Sequence, residues 1–406
     1  MSDTAIARTT GGTPSSEAAE AWRRFTDALA AAGSAVYARE NIGRDAAQQA
    51  EITESMVYAL LVGLMTFTNA DRDHPEFTPV LSSGIRRYAT NADTVYLQAL
   101  VKGAGRYRIV GRRGTVGILN FQVFAGKMGF SEISVRSEVS VPLTPPGGNG
   151  DFEILLSAER PKGYDGLWLQ LDPALAEQFV AVRYVAKDWS REIDPQIAIE
   201  PLHCSIRKMR DNPTGLLDRL QLVPAYVKFA TEELMALMRN QLEKFPASNE
   251  VMDVTDTLPI ITGQAYTHGL IEIGPDEAWI AECEVERGLF YWSAMLMDFA
   301  YTTLEFPFRQ CAINSDLGVV DSDGKVRFVV SDQDPGVVNW LDKNGYDKVQ
   351  LRCRWFGSAH PIIRTKVVPF RELRSHLPAD TVTISPEERE ASLRKRSIGA
   401  QMRRRW

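Results

Sequence analysis

Apolar and polar positions along the 406-residue chain alternate between two periods. Ser15 or Ser16 is placed to cap a helix with Glu17 and Glu20 in its first turn, and Trp22, Phe25 and Leu29 follow at helical spacing. A second helix is predicted from about Asp45 to Phe67, ended by Asn69-Ala70-Asp71 and Pro75. The period then falls to two. Residues 107–110, 115–121, 131–141, 152–156, 167–171 and 179–184 read as strands, with turns at Gly111-Arg112-Arg113-Gly114 and at 145–150. Helical spacing returns from about Pro213 to Phe245 through Leu216, Leu217, Leu220, Leu234, Leu237 and Met238. A second strand-rich stretch follows at 279–285, 290–297, 326–330, 349–355 and 363–368, with Asp321-Ser322-Asp323-Gly324 as a hairpin signal. Ser385-Pro386-Glu387-Glu388 caps a terminal basic helix.

This order predicts an α+β fold of two mainly antiparallel, β-sandwich-like lobes with accessory helices. A leader and N-terminal helices occupy 1–80, a first β-rich lobe 81–205, a helical connector 206–255, a second β-rich lobe 256–380 and a basic helix or tail 381–406. The absence of βαβ alternation excludes a wound parallel sheet. No residue-level repeat proves that one lobe duplicates the other.

Composition narrows the function. With 44% hydrophobic and 24% charged residues the chain is globular in character. Net charge is −6; residues 386–406 hold seven basic and three acidic side chains, so the remainder carries −10. An acidic body argues against nucleic-acid binding, and Arg403-Arg404-Arg405 reads as a solvated terminus. The longest apolar run, 56–67, is shorter than the ~20 residues of a membrane span, and the first sixteen residues hold no apolar signal core. Cys204, Cys283, Cys311 and Cys353 are scattered without a CxxC pair. Reduced, mostly buried thiols in a cytoplasmic protein without membrane or nucleic-acid partners are expected, with a homo-oligomer left open.

Three stretches resemble the bacterial family called domain of unknown function 1214, often paired with a domain numbered 1254. They are Asn91-Ala92-Asp93-Thr94-Val95-Tyr96; Tyr291-Trp292 through Glu305 to Arg309-Gln310 and Asn314; and the string from Ser331-Asp332-Gln333-Asp334-Pro335-Gly336 to Asn339-Trp340-Leu341-Asp342, followed by Arg354-Trp355 and Thr365-Lys366-Val367-Val368-Pro369. The resemblance implies a two-lobed, β-rich fold with accessory helices and brings no established reaction. The chain departs from the family where Asp298-Phe299-Ala300-Tyr301 replaces a run similar to Asn-Arg-Trp-Trp.

Candidate chemistry is found by elimination. His74, His203, His268, His360 and His376 lack metal spacing, and Asp71, Asp73 and His74 suit a turn as well as a cation. Gly103-Ala104-Gly105 is no dinucleotide fingerprint, and two SxxK matches lack companion motifs. Neither a metal nor an organic cofactor is expected. Asn91, Asp93 and Tyr96 either orient a hydroxyl and move a proton or cap a turn. His268 beside Tyr266 on one strand face is a base–phenol pair or a hydrogen-bonded core histidine. Tyr291, Tyr301, Asn339-Trp340, Arg354-Trp355 and the glycine-flanked Lys127 complete a substrate-binding set, each with a packing or solvated alternative. The expected activity is cofactor-independent acid–base chemistry of lyase or isomerase type, such as retro-aldol cleavage, on a small hydrophobic, aromatic or hydroxylated compound. The alternative is a β-sandwich that binds a small molecule or carbohydrate without turnover. Both lobes are expected to border one cleft, with Asp93 or His268 transferring the proton.

Overall fold

The alternating stretches pair as expected. The computed structural model describes residues 16–38, 45–68, 70–126, 134–146, 148–209, 213–242, 248–255, 261–286, 289–357 and 361–403. The first lobe is built from β1 (Thr78–Leu81), β2 (Thr94–Val101), β3 (Tyr107–Arg112), β4 (Ile118–Ala125), β5 (Ser134–Ser140), β6 (Asp151–Ser157), β7 (Leu167–Gln170), β8 (Gln178–Val185) and β9 (Gln196–Pro201). The second comprises β10 (Val251–Asp253), β11 (Gln264–Glu272), β12 (Glu277–Glu284), β13 (Tyr291–Met297), β14 (Ala312–Asn314), β15 (Lys325–Ser331), β16 (Trp340–Asp342), β17 (Lys348–Phe356) and β18 (Ile363–Pro369). Each lobe is two packed sheets.

The strand orders are β1-β2-β8-β4-β5 over β7-β6-β3-β9, and β10-β11-β17-β13-β14 over β16-β15-β12-β18. Adding nine to each strand of the first lobe reproduces the second. The parallel pairs β6–β7 and β15–β16 also correspond. The lobes are therefore topological duplicates, a relation that the side chains do not advertise. Inner faces of both sandwiches carry the core, including Tyr107, Phe121, Val123 and Tyr184 in one and Trp279, Leu296, Phe328 and Trp355 in the other. Each such fully buried side chain contributes ~1.5–3 kcal/mol.

The helices pack outside the sheets. Helix α1 (Ser16–Tyr37), α2 (Ala46–Thr68), α3 (Pro213–Leu220) and α4 (Leu222–Leu242) form a cluster. Phe25, Ala59, Val62, Tyr226 and Val227 meet Val80 and Ile85 at the edge of the first lobe. Gly63 lets α2 and α4 approach: a Cβ there would lie 3.0 Å from the Tyr226 ring. Helix α2 is long and apolar enough to cross a membrane by length and composition, yet its Ile52, Ala59, Val62 and Phe67 are buried within the fold.

The terminal helix α5 (Pro386–Met402) starts with the expected box, Ser385 accepting from the Glu388 amide and Glu388 from the Ser385 amide. It fastens both lobes. Arg389 pairs with Asp334 and donates to Gln310 Oε1, while Arg396 Nε donates to the Phe306 carbonyl. Arg403 is not a solvated terminus: it is 7% exposed, pairs with Asp194 at 3.1 Å and donates to the Asp93 carbonyl. A nearby carboxylate makes its burial tolerable, which composition alone does not reveal. Arg404 and Arg405 lie outside the described residues.

Candidate functional site

Register decides which side chains of the β11–β17–β13 sheet meet. Tyr266 lies opposite Arg354 and His268 opposite Arg352. Ser293 and Met295 oppose the same two arginines from the other side. Alternation then places Gln264, Tyr266, His268, Gln350, Arg352, Arg354, Tyr291, Ser293 and Met295 on the outer face. Trp355 points inward and donates to Thr267 Oγ1 at 3.0 Å, so it does not act with Arg354. This outer polar face is not solvated: His268 is fully buried, and Arg352 and Arg354 are 2% and 5% exposed.

The histidine tautomer follows from its neighbours. Gln350 Nε2 donates to the Asp298 carbonyl at 2.8 Å, which turns Gln350 Oε1 toward His268 Nε2, 3.0 Å away. Nε2 therefore carries the proton and donates. Nδ1 accepts from Arg352 Nη2 at 2.9 Å and faces the Tyr301 hydroxyl at 3.4 Å. Burial, and then the charge of Arg352, hold the imidazole well below its ordinary value, so it is neutral at pH 7. Burial pushes Arg352 down to about 10, which leaves it charged at pH 7. Both guanidiniums stand over the Tyr266 ring, at 5.7 Å for Arg352 and 5.4 Å for Arg354.

A loop of the first lobe covers this set. Arg354 Nη2 donates to the Ala89 carbonyl at 2.5 Å, and the Ala89 amide donates to the Tyr301 carbonyl at 2.8 Å. Tyr88, Ala89 and Tyr301 have φ of 57°, 53° and 57°, a left-handed conformation that side chains disfavour. Three strained residues around one cluster are the signature of a backbone held by its surroundings. Tyr301 belongs to the departing Asp298–Tyr301 run, which forms a tight turn whose Thr302 amide donates to Asp298 Oδ1.

Asn91 and Asp93 lie beside the arginine cluster in the same lobe contact. The Asp93 amide donates to Asn91 Oδ1, the turn expected of such a spacing. Tyr291 OH donates to Asp93 Oδ2 at 2.6 Å, while Trp189 Nε1 and Asn314 Nδ2 donate to Oδ1 at 3.0 and 2.9 Å. Asn91 Nδ2 donates to the Tyr291 oxygen at 2.9 Å. Burial raises the Asp93 pKa against the opposing pull of these donors. The Tyr96 hydroxyl accepts from the Asn91 amide at 3.4 Å, and its ring lies 6.0 Å from Arg183, so it braces the Asn91 turn.

The predicted set is thus only partly assembled. Asp93, Asn91 and Tyr291 form one group, and Tyr266, His268, Tyr301 and Arg354 the other. Asn339 and Trp340 do not join either. Asn339 holds Val319 by its amide and carbonyl, and Trp340, in the other sheet, donates to Ser331 beneath Arg389. Lys127 lies outside the described residues. Arg352, Gln350 and Trp189 escaped the sequence reading, and Asn314 entered it only as the end of a family-like stretch; for the first two the signal was Gln350-x-Arg352-x-Arg354, the polar half of an alternating strand.

Asp71 serves its turn, accepting from the amides of Asp73 and His74. Asp73, His203 and Cys204 bring ligand atoms within 4.8 Å of one another, but Asp73 is already paired with Lys102 at 2.6 Å. A cleft of about 310 Å³ lies apart from the cluster, lined by Glu282, Glu284, Leu289, Lys325 and Ile362 among others.

No family model matches the chain, and no curated protein matches it either. Among solved structures it is similar to a protein of Vibrio parahaemolyticus at 14% identity and a TM-score of 0.43, over 78% of this chain and 99% of that one. It is also similar to an uncharacterized protein from Burkholderia cenocepacia at 23% identity, covering 87% of this chain and 98% of that chain, and with a TM-score of 0.78 the two share the fold.

Proposed function

We propose that the chain is an acid–base enzyme of lyase or isomerase type that needs no cofactor and acts on a small, largely apolar, aromatic or hydroxylated compound. The observation that supports this reading is the neutral His268, whose Nδ1 lone pair faces Arg352 and the Tyr301 hydroxyl in a dry setting. A neutral imidazole of fixed tautomer becomes a base once a substrate oxygen draws the Arg352 donor away from Nδ1, and the guanidinium then stabilises negative charge that develops on that oxygen. Tyr301 supplies a hydroxyl for the returning proton. The role of Asp93 shifts in this reading: its oxygens are already taken by three donors, which favours holding the lobes together. The resemblance to the domain-of-unknown-function 1214 family stands beside this proposal and adds no reaction to it.

A second reading, ligand binding without turnover, is favoured by the burial of the cluster beneath the Ala89 loop. The test is a panel of β-hydroxy ketones and hydroxylated aromatic compounds incubated with the protein and followed by mass spectrometry. Conversion that falls ~10²–10⁴-fold in His268→Gln, with folding retained, is the expected outcome. Conversion unchanged in both His268→Gln and Asp93→Asn removes the acid–base assignment, and saturable binding with no product leaves the second reading.

A further inference from the structure

The duplication supplies an internal control for the arginine cluster. Tyr96 pairs with Arg183 across β2 and β8 as Tyr266 pairs with Arg354 across β11 and β17. Following the same registers, Gln122 corresponds to Met295, Glu138 to Ala312, Ala181 to Arg352 and Gln98 to His268. In the first lobe the cation is answered. Arg183 donates to Gln122 Oε1, and Gln122 Nε2 donates to Glu138 Oε2 at 2.9 Å, so a carboxylate closes the chain of bonds. In the second lobe the carboxylate is replaced by alanine, its relay by methionine, and a second arginine is added.

The consequence is a buried, unanswered positive charge. Among the described residues no carboxylate pairs with Arg352 or Arg354. Arg354 spends its bonds on neutral acceptors, the Ala89 carbonyl and Met295 Sδ, at 2.5 and 3.0 Å. Arg352 Nε is buried without a hydrogen-bond partner. Buried charges are ordinarily paired; Arg87 also has open guanidinium nitrogens, but the Arg352 donor stands beside a second arginine that has no carboxylate partner among the described residues.

We propose that Arg352 and Arg354 are the seat for the carboxylate of a small aromatic acid. This deepens the function proposed above by naming the substrate class, and it rests on the same site. A carboxylate offers two coplanar oxygens to the planar donor fork of arginine. Tyr266, Met295 and Tyr301 give its ring an aromatic and thioether surface. The Ala89 carbonyl occupies one donor in the free protein. A carboxylate that takes its place releases Arg354 from the left-handed Tyr88–Ala89 backbone, whose Ala89 amide remains bonded to the Tyr301 carbonyl.

The test uses the full chain with benzoate at millimolar concentration, benzamide as its neutral isostere and inorganic phosphate as a different oxyanion. Affinity is measured by calorimetry and melting temperature by thermal shift. Benzoate is expected to bind and raise the melting temperature, with benzamide and phosphate weaker. Arg352→Met is expected to weaken benzoate at least ~30-fold. Arg183→Met, in the first lobe, should leave benzoate affinity unchanged. Absence of benzoate binding, equal binding of benzamide, preference for phosphate, or full benzoate affinity in a folded Arg352→Met each overturns the proposal; the wild-type comparison stands even if a variant fails to fold. Benzoate bound with no product from any compound tested separates this seat from the enzymatic reading, and turnover confined to neutral compounds does the reverse.

Discussion

Replacement of Asp93 separates a tie between lobes from a catalytic acid or base. Its carboxylate accepts from Tyr291, Trp189 and Asn314, of which Tyr291 and Asn314 belong to the opposite lobe. A hydrogen bond to a charged group contributes ~1.5–3 kcal/mol, and a buried donor left open costs ~1–3 kcal/mol. Asp93→Ala opens three donors at once. Allowing for non-additivity within one network, a loss of ~4–6 kcal/mol is expected, a large part of a typical total of ~5–15 kcal/mol. Asp93→Asn is milder. The amide oxygen keeps Trp189 and Asn314, while the new NH₂ donates to the Tyr291 oxygen, which redirects its proton to Asn91 Oδ1 at 3.2 Å. Only charge assistance is lost, ~1–3 kcal/mol. Urea denaturation followed by tryptophan fluorescence measures both. A double-mutant cycle with Tyr291→Phe should return a coupling of ~1–3 kcal/mol across the lobes. An unchanged midpoint in Asp93→Asn with zero coupling refutes the tie; lost turnover at full stability returns Asp93 to the chemistry.

Further outcomes follow from groups outside that network. Burial, with Asp45 and Glu54 nearby, pushes Glu51 up to about 7, and burial with Glu51 raises Asp298 well above its ordinary range. A raised carboxyl binds its proton more tightly when folded, so the stabilisation is complete below about pH 4.5 and is lost as pH rises through about 7. Melting temperature should fall from pH 5 to 8, and Glu51→Gln should flatten that slope; an unaltered slope contradicts the assignment. Gly399→Ala places a Cβ 2.9 Å from the Trp189 backbone, so overpacking of ~1–3 kcal/mol outweighs a helix-propensity gain of ~1 kcal/mol, and a lower melting temperature is expected. Gly215→Ala, where among the described residues the Cβ meets only Arg219 Nη1 at 3.6 Å, should stabilise instead, and calorimetry on the pair checks the contrast. EDTA should leave the melting temperature unchanged; a fall restored by zinc would make Asp73, His203 and Cys204 a resident site.

Local physics was legible in the chain. The alternation at 349–355 and 279–285 became β17 and β12, and the Ser385 box starts α5, because side-chain periodicity and capping act within a few residues. The same alternation misleads about exposure. Gln350, Arg352 and Arg354 have the spacing of a solvated face, yet the Ala89 loop of the other lobe covers Arg354 and the Asp298–Tyr301 turn covers Gln350. The order of elements pointed to two related sandwiches, but no residue-level repeat proved the duplication, for a related reason: sheet order depends on long-range pairing, such as β8 between β2 and β4, and each position need only suit its neighbours. The site is likewise a product of register. His268 and Arg352 stand 84 positions apart, and Asp93 and Asn314 stand 221 apart. Residue types announce what chemistry is possible, but only strand pairing brings them within bonding distance, and only packing of one lobe on the other excludes the water that would otherwise satisfy them.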